Sequence, residues 1–478
     1  MAKDHKKPEK AELAAEDVKV TENIEAAENI EAAENVEVAE NVEVAEEVKI
    51  MPGIDVPVVS QSPITWPKLP ALPNMPESLR KLFLGKPQNV QPHQRLFLPA
   101  AFLLIIFGMC FSTYILNINI FYKEIGKVAN GMQDRNLTLS EAGAALVEHW
   151  EDKTTETLAI KDRLVELYGL EMRLLDKHFI RDTEYAYSVI KDNHDWLQFV
   201  TYAVPPRDIV QDIENFTELD VPILYVQPPT KFVEGYTEFP DTLYDHTAEN
   251  VAQNLALLEA ADVPYLDLRA AAEEDNLDKE QMFYHTDHHW RVETALWAVK
   301  RTVQELEELF DWELDPDGTY TDPDNWRVID YGENFLGSQG RRVGPYYAGL
   351  DKFCLLTPRF DTRYYLYIKQ HTGELTTFYG DFITSIVHTE FLTEPSVYTN
   401  RYCAYWGADY PLITVDNMLN DDGLTVLLVK DSYGLPYGAF LSTMLDKLYM
   451  VDLRYYSIEN LPQYVKEIKP DLILIVYS

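Results

Sequence analysis

The sequence predicts an α/β fold: a parallel sheet flanked by helices, with an antiparallel β-rich insertion, preceded by one transmembrane helix. Three observations predict it. Short apolar runs such as Val221–Gln227 and Leu472–Val476 alternate with helical patterns, as parallel strands alternate with crossover helices. Residues 350–415 instead show period-two alternation, as in Tyr364-Tyr365-Leu366-Tyr367-Ile368, and Thr-rich runs. No charged residue falls between Arg95 and Lys123, a length that suits a bilayer span of roughly 20 apolar residues.

Residues 1–50 form an acidic low-complexity tail. From Glu22 a six-residue unit repeats (ENIEAA, ENIEAA, ENVEVA, ENVEVA), and the tail holds 15 acidic against 6 basic side chains. A period of six does not keep Ile24, Ile30, Val36 and Val42 on one helix face, so a coiled coil is a poor reading and a solvated, disordered tail is expected. Residues 51–95 contain nine prolines and read as an extended spacer. Residues 96–117 are the predicted transmembrane helix. Arg80, Lys81, Lys86 and Arg95 precede it and Lys123, Lys127 and Arg135 follow it. That small excess favours a cytoplasmic N-terminus, with the chain beyond the helix outside the plasma membrane. The extracellular domain is expected over 140–478.

Within that domain, strands are expected at Val221–Gln227, Val263–Leu268, Thr425–Val429, Leu448–Val451 and Leu472–Val476. Helices are expected at Asn250–Ala260, Tyr437–Asp446 and Leu461–Ile468. A further helix after Trp290 carries Leu296, Val299, Val303 and Leu306 on one face. The formal net charge of −38 excludes a nucleic-acid partner, because phosphates would be repelled, but not a neutral or basic sugar polymer. Three cysteines make no disulfide scaffold; pairing of Cys354 with Cys403 stays open. No C-x-x-C or H-E-x-x-H spacing occurs, so neither a zinc site nor a cofactor is expected.

Two segments carry chemistry. In Tyr284-His285-Thr286-Asp287-His288-His289-Trp290, three of the chain's 11 histidines lie within five residues. In Leu424–Gly434, an apolar strand ends and Ser432 follows at once, where reactive groups gather in open α/β sheets. Taken singly, Asp431-Ser432 could be a helix cap, and the histidines a metal site or loop filler. Together they supply a nucleophile, a base and an orienting carboxylate, the set that acyl transfer needs. In an extended segment Asp287 and His289 share a side and His288 points away, which selects His289 as the base.

HTDHHW resembles the signature of the DHHW proteins of Gram-positive bacteria. These are similar to the alginate O-acetyltransferase group, whose SGNH-hydrolase-like domains take the triad acid and base from a T-D-x-H-W segment and the serine from a later strand end. Tyr225-Val226-Gln227-Pro228-Pro229, Tyr265-Leu266-Asp267-Leu268-Arg269, Phe335-Leu336-Gly337-Ser338 with Arg341-Arg342, and Val451-Asp452-Leu453-Arg454-Tyr455-Tyr456 look like the same family. The resemblance implies Ser432 as nucleophile, His289 as base and Asp287 as orienting acid. His288, Arg341 and Tyr433 are the candidate substrate-contacting side chains, Arg341 as a cation for a substrate carboxylate or phosphate. It implies O-acetyl transfer or de-acetylation on a cell-surface polysaccharide, with a separately encoded membrane-bound O-acyltransferase as partner. No clear match to the Gly and Asn blocks of the SGNH oxyanion site is found. Arg341 reads more readily as part of a structural ion pair, in a region this rich in acidic side chains. A silent polysaccharide-binding or assembly protein of the same fold is the alternative.

Overall fold

The computed structural model describes residues 92–119, 160–240, 243–420 and 423–478, with isolated positions between 121 and 158; of residues 92–99 and Ala101 only the backbone is described. The acidic tail and nearly all of the proline spacer lie outside the described residues. These divide between two units, one ending at Leu164 and the other running Val165–Ser478. Most residues around the expected boundary at 140 lie outside the described residues.

In the first unit, helix α1 (Pro92–Leu116) has 25 residues. It starts inside the predicted spacer, with Pro92 at the position where a missing N–H costs nothing. Phe102, Leu104, Phe107 and Phe111 are exposed along it. The hydroxyls of Ser112 and Thr113 both donate back to the Met109 carbonyl. Among the described residues no helix is long and apolar enough to cross a membrane, and the side chains that would open the predicted 96–117 span lie outside them.

The second unit contains β1 (Phe179–Ile180), β2 (Val189–Lys191), β3 (Leu197–Phe199), β4 (Ile223–Gln227), β5 (Tyr265–Asp267), β6 (Trp326–Phe335), β7 (Asp351–Pro358), β8 (Tyr364–Lys369), β9 (Leu375–Gly380), β10 (Leu412–Asn417), β11 (Thr425–Lys430), β12 (Lys447–Asp452) and β13 (Leu472–Val476). Eight of them form one sheet in the order β5-β4-β13-β11-β12-β10-β8-β9. The first five run parallel. Then β10 pairs antiparallel with β12, and β8 and β9 continue antiparallel.

The sequence expectation of a parallel sheet plus a separate 350–415 insertion is therefore corrected. The late strands are antiparallel, but three of them extend the same sheet, which is mixed. The reason is burial. ILYVQ of β4 and LILIV of β13 are buried at every position, as strands covered on both faces must be. In β10 only alternate side chains are fully covered, which suits an antiparallel flank with one face packed. Strand β7 pairs with β6 in a two-stranded sheet instead.

Alternation along the parallel strands splits the core in two. Leu224, Val226, Leu428 and Leu474 pack with helix α2 (Val292–Phe310), whose Leu296, Val299, Val303 and Leu306 face inward as expected. Ile223, Tyr225, Leu427, Val429, Ile473 and Ile475 pack on the other side, with helix α3 (Leu461–Ile468) supplying Leu461 and Val465. Cys354 and Cys403 do not form a disulfide.

Buried charge fixes the end of β11. The Lys430 ammonium, wholly inaccessible, pairs with Asp409 and with Asp452. Arg454 closes the cluster at 2.9 Å from Asp409 and 2.6 Å from Asp452. Four groups of balanced charge satisfy one another there, as buried ions must.

Candidate active site

The histidine segment is not extended. An isolated bridge between Phe283 and Trp290 closes a bent loop. Asp351, at the start of β7, holds its first half: one carboxylate oxygen accepts the His285 N–H, the other the Thr286 N–H and hydroxyl, at 2.6 to 2.8 Å. From the other side the Gly337 N–H donates to the Thr286 hydroxyl and the Gly340 N–H to the Thr286 carbonyl, both at 2.8 Å. Gly337 is needed for this approach: a Cβ there would lie 2.2 Å from the Asp287 Cβ.

The bend aims Asp287. One carboxylate oxygen accepts the His289 backbone N–H at 2.9 Å and the His289 ring Nδ1–H at 2.5 Å. The other accepts the Ser338 N–H at 2.6 Å, from the first turn of helix α4 (Ser338–Val343). An ionised carboxylate only accepts, so Nδ1 carries the ring proton and Nε2 is left as an acceptor. Nε2 faces the Ser432 hydroxyl at 2.7 Å. Ser432 stands two residues beyond β11, just before helix α5 (Gly434–Leu441). The Tyr402 ring stacks on His289 at 4.0 Å, with 12° between planes, and walls it from the core side. Asp287, His289 and Ser432 are all buried.

Burial pushes the Asp287 carboxyl up, but the electrostatic pull and hydrogen bond of His289, with smaller pulls from His288 and Arg341, outweigh it and hold the group well below the usual carboxylate range. It is an anion at neutral pH. His288 goes the opposite way: burial, with His289, Lys231 and Arg341 against the opposing pull of Asp287, pushes it far below the usual imidazole value. It is a neutral ring.

The structure brings together Ser432, His289 and Asp287, and sets the other sequence candidates around them. His288 does not point away from His289: the two rings lie 3.8 Å apart, because the chain bends at Asp287. The His288 Nδ1 pairs with the Ser338 hydroxyl at 2.7 Å. Tyr433 spends its hydroxyl inside the protein, donating to the His288 carbonyl at 2.6 Å. Arg341 is half-buried. Its neighbour Arg342 makes the structural ion pair, 2.8 Å from Asp182, and lies over the Tyr187 ring. Asp287, His288 and His289 each offer a ligand atom within 4.8 Å of the others, a spacing a metal ion could bridge. Both carboxylate oxygens of Asp287, both ring nitrogens of His289 and Nδ1 of His288 are engaged in the hydrogen bonds just described.

Sequence reading missed Asp351, Tyr402 and Lys231. Tyr402 is one of 30 tyrosines, with no local pattern to single it out. Lys231 directly follows the Pro228-Pro229-Thr230 run at the end of β4. Among the described residues, the Ser432 backbone N–H donates to no protein acceptor.

Residues 219–325 match the family model described as the SGNH hydrolase-like domain of the acetyltransferase AlgX. That span includes Asp287 and His289 and ends before Ser432. No curated protein matches the chain. Among solved structures, PatB1 of Bacillus cereus with a sulfonyl adduct is 19% identical, with a TM-score of 0.49, over 61% of this chain and 93% of that one. A DHHW family protein of Eubacterium siraeum is 18% identical, TM-score 0.46, over 61% and 89%. The O-acetyltransferase domain of Pseudomonas putida AlgJ is 14% identical, TM-score 0.35, over 60% and 90%. The resemblance carried by HTDHHW therefore stands: over residues 219–325 the chain matches the SGNH hydrolase-like domain of the AlgX acetyltransferase type.

Proposed function

We propose that this chain transfers or removes O-acetyl groups on a cell-surface carbohydrate, with Ser432 as nucleophile, His289 as general base and Asp287 as the orienting carboxylate. One observation carries the reading: the unbroken line from the Asp287 carboxylate through His289 Nδ1 and Nε2 to the Ser432 hydroxyl, at 2.5 and 2.7 Å. Nε2 takes the hydroxyl proton as Oγ attacks the acetyl carbonyl. The Asp287 anion steadies the imidazolium that forms. The Ser432 N–H supplies one donor to the developing oxyanion. The tetrahedral intermediate collapses, and the leaving oxygen takes the proton back from Nε2. Water attacking the acyl-enzyme completes hydrolysis; a sugar hydroxyl attacking it completes transfer. Both use the same three residues, and His288 and Arg341 are the side chains we assign to the acceptor.

The same reading anchors the chain by residues 96–117 in the plasma membrane, with the N-terminus cytoplasmic. A membrane-bound O-acyltransferase would then hand acetyl groups to the outer face. The exposed apolar side chains of α1, and its hydroxyls turned back onto its own backbone, support that anchor.

Labelling of the full-length protein with a fluorophosphonate tests the nucleophile. Covalent modification at Ser432 is expected, together with acetyl-ester turnover that Ser432→Ala lowers by at least about 10⁴-fold. A folded protein that neither labels nor turns over any acetyl ester would leave the binding or assembly role standing.

A further inference from the structure

A buried cation beneath the bent loop has no part in the steps above. Lys231 follows β4, and its side chain is almost fully enclosed. Its ammonium donates to the His285 carbonyl at 3.1 Å, the Asp287 carbonyl at 2.7 Å and the Gln339 side-chain oxygen at 2.9 Å. Among the described residues no carboxylate oxygen makes an ion pair with it. An enclosed ammonium without a paired anion costs several kcal/mol on the order of the ionic desolvation penalty, so a neutral side chain would serve packing better. What the charge supplies is three N–H donors on one atom, matched to three acceptors. Two of those acceptors are backbone carbonyls of the loop that carries the acid and the base, one of them that of Asp287 itself. The third, Gln339, belongs to α4, whose first N–H binds the Asp287 carboxylate.

We propose that Lys231 is a positioning residue: its ammonium pins the loop from below, and so sets the angle at which Asp287 and His289 meet Ser432. The inference rests on the triad reading above and deepens it. The charged and titratable groups facing the ammonium are Asp287, His285 and His288 of the loop, Asp351 of β7 and Asp192 of the turn between β2 and β3. Burial outweighs the three carboxylates and brings the ammonium down to about 8. Below that pH three donors meet three acceptors. Above it the amine keeps two, one acceptor is released, and the loop loses a tether.

The test is the rate of fluorophosphonate labelling of Ser432 in full-length protein between pH 6 and pH 10, for wild type, Lys231→Arg and Lys231→Met, with Ser432→Ala as the blank. Wild-type labelling should fall above pH of about 8. Lys231→Arg, which keeps its charge throughout, should remove that fall and label within roughly tenfold of wild type at pH 7. Lys231→Met should label at least about 100-fold more slowly at every pH, with no alkaline fall; with an acetyl ester the loss should appear in kcat with KM unchanged. A wild-type profile flat to pH 10, or a folded Lys231→Met that labels like wild type, overturns the proposal. Should Lys231→Met fail to fold, the wild-type and Lys231→Arg profiles decide it alone. Absence of any wild-type labelling sinks the triad reading itself and this inference with it, whereas failure of Lys231 alone leaves Ser432 labelled.

Discussion

Replacing Asp287 by asparagine removes one charge and changes no volume, so its cost can be worked from the geometry. The carboxylate accepts three hydrogen bonds, two from His289 and one from the Ser338 N–H. An amide has one oxygen to offer. If that oxygen keeps His289, the amide nitrogen faces the Ser338 N–H across 2.6 Å, donor against donor, for about 1–3 kcal/mol. If it turns instead, the amide donates to Nδ1 and forces the ring proton onto Nε2. His289 then presents a proton to Ser432 and cannot accept one. In either orientation the transition state loses the anion beside the imidazolium, about 4 kcal/mol at 4 Å with an effective dielectric near 20. Where the amide keeps His289, together these come to about 5–7 kcal/mol, or about 10⁴- to 10⁵-fold at ~1.36 kcal/mol per decade. The assay is acetyl-ester turnover by purified full-length protein, with thermal melting to show that the variant is folded. A folded Asp287→Asn that keeps more than about a tenth of wild-type kcat would refute the reasoning, because Asp287 would then neither orient nor charge-stabilise the base.

Two further outcomes follow from the same geometry and from the sequence. His289→Ala should lose about 10⁴-fold or more in turnover, since its Nε2 sits at 2.7 Å from the Ser432 hydroxyl and no other side chain among the described residues is hydrogen-bonded there, while His288→Ala should lose within about tenfold; a dead His288→Ala beside an active His289→Ala reverses the assignment. Protease added to intact cells should remove the C-terminal domain and spare the acidic tail, and protection of that domain would put the membrane anchor the other way round.

The sequence carried the elements that are locally determined. Leu461–Ile468 and Leu472–Val476 fold over the residues expected, because an amphipathic helix and a doubly buried strand each announce themselves by periodicity. The D-x-R pairs in YLDLR and VDLRYY also have a local cause. In each, the aspartate is the last residue of a strand and the arginine two residues on folds back onto it, as Arg269 does on Asp267 and Arg454 on Asp452. Sheet membership of β8, β9 and β10 was not legible, because pairing is a long-range choice: Leu412 finds Val451, and Leu366 finds Val415. Nothing in the local alternation says whether such strands close on themselves or join an existing edge.

The histidine loop shows how the same candidate base can be reached through a different geometry. An extended strand would place Asp287 and His289 on one side and His288 on the other. The actual segment is bent at Asp287, with the carboxylate accepting the His289 backbone N–H two residues on, a turn that aspartate favours by its short acceptor side chain. That turn also brings an i, i+2 pair together, so His289 remains the partner of Asp287. It does not send His288 away; it leaves that ring against His289 and within reach of Ser338. What fixes the bend is remote in sequence: Asp351 on one flank, Gly337 packed against Asp287 on another, Lys231 beneath. Each of the three is unremarkable in its own stretch of chain. Their common address exists only once β4, β6 and β7 are in place, and for that reason a candidate acid and base could be named from six residues while the parts that hold them could not.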